Sequence, residues 1–131
     1  MIRLTSKPIH LDTSFLIRAL TLDSLEAGKL LGWLQERRSI SMSAFAWGEF
    51  LCGPLEDTGL ALAQSLVSKH ASVGVEEAAE AARLFNLGGR RRGSFPDCVI
   101  AATAIRAGAE LATSNESDFG VFREAGLELA E

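Results

Sequence analysis

The sequence predicts an α/β fold, a three-layer α/β/α sandwich around a central parallel sheet of four to five short strands. One domain, residues 1–131, accounts for the whole chain. Two observations predict this. Short apolar runs alternate with amphipathic segments of helical period along the length of the chain, the order that builds a parallel sheet covered on both faces. Apolar residues make up 47% of the sequence, enough to bury a full core beneath both layers and too many for a disordered chain. No repeat or low-complexity segment interrupts the pattern.

The elements follow in order. Pro8–Leu11 is a short apolar run that ends at Asp12 and reads as a buried strand. Ser14–Leu20 begins a short helix, with Asp12, Thr13 or Ser14 as its cap. Leu22–Arg37 carries Leu25, Leu30, Leu31 and Leu34 near helical spacing. Ser39–Met42 is a second strand, and Ala44–Cys52 a helix stopped by Gly53–Pro54. Leu60–His70 reads as another amphipathic helix and Ser72–Val75 as a third strand. Glu76–Arg92 is a long helix with acids in its first turn and arginines in its last, although Gly88–Gly89 blurs its end. Ser94–Asp97 opens the next helix, with Pro96 near its first position and Gly108 as its stop. Glu110–Thr113 is a fourth strand, Ser117–Glu124 a short helix and Leu127–Leu129 a last edge strand.

Bulk properties exclude several classes. The apolar runs are too short to span a bilayer. The stretch MIRLTSKPIHLD lacks the apolar core and small-residue cleavage site of a secretory leader, so the default expectation is a cytoplasmic protein. Cys52 and Cys98 have no metal-thiolate spacing, and both read as small buried hydrophobes. The net charge of −4 argues against a nucleic-acid coat protein but not against an enzyme acting on nucleic acid. The basic clusters Arg37–Arg38 and Arg90–Arg92 fall where helices should end, which suits the helix dipole; Arg90, Arg91 and Arg92 are also candidate RNA phosphate contacts.

Most of the acids fall on solvent-facing helical positions. Four sit among apolar neighbours: Asp12 at the end of strand one, Glu49 within AFAWGEFLC, Asp97 in the first turn of PDCVIAATAI, and Asp118 in TSNESDF after strand four. Each alone has a bland reading as a helix cap, a dipole partner, a solvated acid or a turn residue. Those readings do not explain the apolar surroundings. Strand carboxyl ends and helix N-termini are where an α/β sheet gathers its site. Two carboxylates ~4 Å apart repel by about 4 kcal/mol at an effective dielectric near 20. Several such pairs rival a domain's whole stability of ~5–15 kcal/mol, so such a cluster needs protons or cations. Oxygen donors without histidine or cysteine favour Mg²⁺ or Mn²⁺. Ions so held activate water and stabilise a leaving oxygen, which is the chemistry of phosphodiester hydrolysis.

LDTSFLI, the WGEF helix and FPDCVIAATAIRAGAELATSNESDF together resemble the PIN domain, and within it the VapC-type toxin ribonucleases of prokaryotic toxin–antitoxin pairs. The resemblance runs in order from about residue 9 to residue 122, and Thr113, Asn115, Asp118 and Phe119 fill its closing T-x-N-x-x-D-F pattern. It implies a Mg²⁺- or Mn²⁺-dependent endoribonuclease. Asp12 and Asp97 would be the primary metal ligands, with Glu49 and Asp118 as direct or water-mediated ligands. Thr13, Ser14, Ser114 and Asn115 would support the acids or position phosphate. It also implies a homodimer and a small cognate antitoxin. Trp33, Phe45, Trp47 and Phe50 supply either an apolar groove for that antitoxin or ordinary core. Glu116 reads as a solvated acid, and His10 and His70 as structural.

Two other readings compete. A PIN-like module that grips RNA or a partner without cutting it would be expected to have lost acids, and all four are present. A phosphotransfer receiver or aspartyl-phosphate phosphatase would want a lysine near the site, and residues 93–131 contain none.

Overall fold

The computed structural model describes residues 6–131; the first five residues of the N-terminal stretch discussed above lie outside it. The elements are β1 (Ile9–Leu11), α1 (Thr13–Ala19), α2 (Leu25–Gln35), β2 (Ile40–Ser43), α3 (Ala44–Cys52), α4 (Asp57–Leu66), β3 (Lys69–Ala71), α5 (Val75–Leu87), α6 (Phe95–Arg106), β4 (Glu110–Ala112), α7 (Glu116–Gly120), a 3₁₀ turn (Arg123–Ala125) and β5 (Glu128–Leu129). The strands form one parallel sheet in the order β3-β2-β1-β4-β5. The right-handed rule for parallel crossovers puts α1–α4 on one face and α5–α6 on the other.

The strands are short and their hydrophobic sets face both layers. Ile9, Leu11, Ile40, Met42 and Leu111 are all buried beneath helices. Helix α6 is apolar on every side, and Cys98 through Ala104 are buried without exception. Thr103 sits in that run because its hydroxyl donates to the Val99 carbonyl 2.8 Å away. Ser24 and Ser43 cap α2 and α3, each accepting the N–H three residues on. Gly108 ends α6 in the left-handed region (φ 65°), a conformation glycine adopts without a Cβ clash. Among the described residues no helix is long and apolar enough to cross a membrane.

Most departures from the expected elements are at boundaries, and their causes are visible. Leu60–His70 is not one helix, and Ser72–Val75 is not a strand. The N–H and the hydroxyl of Ser68 both donate to the Ile40 carbonyl, at 2.9 Å each, and this lays the chain along β2, so that β3 begins at Lys69 and α5 at Val75. Helix α2 starts three residues later than expected because Asp23 adopts φ 65° and Ser24 provides the cap. Helix α5 ends at Leu87, so Arg90–Arg92 do not complement its dipole; they stand in a tight exposed connection in which Arg90 has φ 57°. Helix α7 is a single turn and a half followed by a separate 3₁₀ turn, in place of one helix over Ser117–Glu124.

Side-chain expectations also change. Cys98 is buried, but Cys52 is exposed at the end of α3. Trp33 and Phe50 are buried, Trp33 stacked on Phe15, and Phe45 and Trp47 pack partly buried against the same core. These four aromatics form core and do not make a free groove. His70 lies in β3, edge-on to Trp47.

His10 is buried in β1, and burial lowers its imidazole from 6.5 to about 4. The unfolded chain takes up this proton as pH falls below 6.5, while the folded ring resists it until about 4. The neutral ring's contribution is therefore complete above 6.5 and is lost between 6.5 and 4, a change of about 3 kcal/mol. Asp12 and Asp97, described below, are shifted in the opposite sense, so the comparison is made against a variant. His10→Leu is expected to flatten the fall in Tm between pH 7 and pH 4.5 seen by differential scanning calorimetry. Parallel curves for the two proteins would disprove this account of His10.

Candidate functional site

The strand order reverses direction beside β1: chain progression runs from β1 to β3 on one side and resumes with β4 on the other. The crevice at the carboxyl ends of β1 and β4 is thus the switch point where α/β sheets bind ligands. Leu11 is in register with Ala112, so the next residues, Asp12 and Thr113, face each other across the crevice. The Thr113 hydroxyl donates to Asp12 Oδ2 at 2.6 Å. Asp12 Oδ1 accepts the Phe15 N–H at 2.7 Å and the Ser14 hydroxyl at 2.9 Å. Of the three candidate caps of α1, Asp12 is the one used, and the hydroxyls of Thr13 and Ser14 serve carboxylates. Ser14 holds Asp12. Thr13 donates to Glu49 Oε1 at 2.9 Å and to the Ala46 carbonyl at 3.2 Å, tying the start of α1 to α3.

Asp97 lies in the first turn of α6 and Asp118 in the first turn of α7. Helix α6 packs against both α3 and α7, which brings their acids towards Asp12. The electrostatics register this convergence. The Asp97 carboxyl is raised above its ordinary value first by burial and then by the charges of Asp118, Asp12 and Glu49. The Asp12 carboxyl is only 3% exposed; burial raises it, and the hydrogen bonds from Thr113, Phe15 and Ser14 pull it back down. Three helix N-termini, those of α1, α6 and α7, supply partial positive charge nearby.

The donors are all oxygens, one carboxyl is buried and three are half-buried, and three of them act on the fourth, Asp97, a set that suits a hard divalent cation. They do not stand as a closed cage: among the described residues no three acids, histidines or cysteines are placed to hold an ion together. The four carboxyls share one field without touching, and both oxygens of Asp12 are already engaged by donors that also fix their direction.

The remaining expected residues divide. The Ser114 hydroxyl donates to Glu26 Oε2 on α2 at 2.8 Å and touches none of the four acids. Exposed Asn115 accepts the N–H groups of Asp118 and Phe119 on its carbonyl, so its described role is to start α7. Glu116 is an exposed first-turn acid. Arg90, Arg91 and Arg92 are exposed; the charge of Arg91 lowers the Asp97 carboxyl, which puts it at the rim, while its carbonyl accepts from Ser94 at 2.7 Å. Thr113 is the residue the expectations left out of the site. Register would have found it, as the residue just past strand four facing the residue just past strand one.

Two stability predictions follow from these shifts. A carboxyl raised in the folded state stabilises the fold most below its unfolded value, and that contribution is lost as pH rises through the folded value. Asp97→Asn should thus raise Tm at neutral pH in chelator-treated protein, and the gain should vanish at pH 3.5. An unchanged or lower Tm at pH 7 would mean that Asp97 carries no repulsion. Thr113→Val removes a hydrogen bond to a charged group and should cost roughly 1.5–3 kcal/mol at pH 7 by denaturant melts. A loss below about 0.5 kcal/mol would show that Thr113 does not restrain Asp12.

No curated protein matches the chain in sequence. Its fold is similar to that of solved toxin–antitoxin structures. VapBC2 from Rickettsia felis bound to a DNA fragment from its promoter has a chain 20% identical, with TM-score 0.72 over 93% of this chain and 96% of that one. DNA-bound VapBC from Salmonella typhimurium has one 18% identical, with TM-score 0.71 over 95% and 98%. VapC20 from Mycobacterium tuberculosis, a toxin that cleaves the sarcin–ricin loop, is 18% identical, with TM-score 0.63 over 93% and 98%. The sequence profile of the PIN domain matches residues 9–125, nearly the whole described chain, and the protein belongs to the PIN domain family.

Proposed function

We propose that this protein is a Mg²⁺- or Mn²⁺-dependent endoribonuclease, the toxin of a toxin–antitoxin pair, acting at the crevice formed by Asp12, Glu49, Asp97 and Asp118. The observation that carries the reading is the Asp97 carboxyl, raised by burial and by all three other acids at once. A group of acids that repel one another inside a folded domain is accounted for by a cation that belongs there. The solved relatives support the rest: several are toxin–antitoxin complexes, and one is named for cutting the sarcin–ricin loop.

Asp12 and Asp97 would hold the ion, with Glu49 and Asp118 completing its shell directly or through water. A bound Mg²⁺ or Mn²⁺ supplies a water of lowered pKa and neutralises charge on the phosphate. The chain's own residues do the remaining work. Thr113, Ser14 and the Phe15 N–H favour the ionised form of Asp12 against its burial and aim its oxygens. Thr13 ties Glu49 of α3 to the start of α1, where Glu49 would take a proton from the attacking water. Arg91, with its exposed neighbours Arg90 and Arg92, would meet the RNA backbone, a local cationic surface on an acidic protein. The packed pair α1–α2 leaves Ile17, Leu31 and Leu34 exposed, an apolar surface suited to an antitoxin segment. The protein would act in the cytoplasm, as a homodimer.

The open spacing of the acids also suits a module that binds RNA without cutting it, and one experiment separates the two. Expression alone should arrest growth and yield discrete new RNA 5′ ends, and co-expression of the neighbouring small reading frame should relieve both. Purified protein should cut the same sites with Mg²⁺ or Mn²⁺. Asp12→Asn and Asp97→Asn should each lower the rate by at least ~100-fold, the scale of losing one group that stabilises charge in the transition state. Wild-type cleavage by Asp97→Asn, or full activity in chelator, would refute the assignment. Binding of RNA with no cuts would favour the non-cleaving module.

A further inference from the structure

Helix α7 carries Asp118 but has little of its own to hold it in place. It is 5 residues long, and no side chain caps its start. A helix that short has no independent stability, so its attachments decide its orientation. The buried rings of Phe119, within it, and Phe122, just after it, pack edge-on and seat its later half in the core. Its first turn, with Asp118, hangs from the connection after β4. The Asn115 carbonyl accepts the Asp118 N–H at 3.1 Å, and the Asn115 N–H donates to the Thr113 hydroxyl oxygen at 2.9 Å. Where Thr113, Ser114 and Asn115 stand therefore sets where Asp118 stands.

Two hydroxyls pin that connection to two different elements. Thr113 donates to Asp12 at 2.6 Å, and Ser114 donates to Glu26 Oε2 at 2.8 Å. The second bond closes a ring. Asp12 caps α1. Near the end of α1 the Arg18 carbonyl accepts the Ser24 hydroxyl at 2.8 Å, and the Ser24 oxygen caps α2 by accepting the Ala27 N–H at 3.0 Å. Glu26 stands in that capped first turn. From Glu26 the path returns through Ser114 and Thr113 to Asp12. A segment held at one point can pivot, whereas a segment inside a closed path is fixed by both neighbours.

The chemistry of Glu26 suits this place. Its carboxyl is held below its ordinary value, first by the Ser114 hydroxyl, so it is ionised at neutral pH and accepts a charge-assisted bond. The Arg18 charge favours the ionised forms of both Glu26 and Asp12. The charges that raise Asp97 are those of Asp118, Asp12 and Glu49. Glu26 thus reaches the site through Ser114 and not as a fifth repelling acid.

We propose that Glu26 is a positioning residue for Asp118: by holding Ser114 it fixes the connection from which the first turn of α7 meets the crevice. The consequence for cleavage rests on the nuclease reading; the positioning does not.

The test is amide hydrogen exchange at Asp118 and Phe119, whose N–H groups both donate to the Asn115 carbonyl. Glu26→Ala and Ser114→Ala should each speed exchange there roughly tenfold and leave the amides of β2 and α6 unchanged. A general loss of stability would speed all of them. Glu26→Gln keeps an acceptor oxygen for Ser114 and should restore slow exchange. The double alanine variant should exchange no faster than either single one, because both changes remove the same bond. In RNA cleavage the two alanine variants should lower kcat roughly tenfold with KM unchanged, the pattern of a misplaced reacting group and not of lost RNA binding. Wild-type exchange at Asp118 and Phe119 in Glu26→Ala, exchange as fast in Glu26→Gln as in Glu26→Ala, additive effects in the double variant, or wild-type kcat in both alanine variants would overturn the proposal. A wild-type chain that cuts no RNA would refute the nuclease reading alone, and the exchange rates would still decide the role of Glu26.

Discussion

The structure turns on the carboxylate of Asp12. It ends the central strand, caps α1 through the Phe15 N–H, and receives a hydroxyl from each side of the sheet's switch point. Such a group is costly to bury charged, and three donors offset part of that cost. Once it is fixed, the rest of the site is positioned relative to it. Thr13, the next residue, ties Glu49 to the start of α1, and α6 and α7 turn their first turns inward with Asp97 and Asp118.

Capping and function are therefore not alternatives at Asp12. A cap must place a carboxylate oxygen against backbone N–H groups at a helix start, and this also leaves the carboxylate facing the crevice where the strands end. The fold converts a local requirement of α1 into a shared one. The three helix N-termini around the crevice lower the cost of gathering negative charge, but they do not remove it: burial and neighbouring acids still raise the Asp97 carboxyl. That residual repulsion links the free protein's stability to its proposed chemistry.

Much of this was legible in the sequence because it is local. The apolar run before Asp12, the proline near the start of α6 and the glycine after it mark their elements directly. The four acids stand out by the apolar neighbours that set them off. What was not legible depends on pairing between distant segments. KHA carries no apolar run, and it is a strand only because Ser68 binds the Ile40 carbonyl and sets it beside β2. Thr113 stands in the T-x-N-x-x-D-F pattern, but its partner shows only when register places it opposite Asp12. Ser114, its neighbour, turns instead to Glu26 on α2, a partner eighty-eight residues away that no motif announces. The arginines after α5 read as a helix end because the left-handed turn at Gly89–Arg90 leaves little trace beyond two glycines.

The central claim is that Asp12, Glu49 and Asp118 are gathered around Asp97 to hold a divalent cation. The most direct measurement is the melting temperature as a function of Mn²⁺ concentration, for the wild-type chain and for Asp97→Asn. A cation that binds the folded state alone must raise its Tm as concentration increases. The account requires a saturable rise for the wild type, starting from the lower baseline, and a rise greatly weakened or absent in the variant. A wild-type Tm indifferent to Mn²⁺, or the same rise in both proteins, would contradict it.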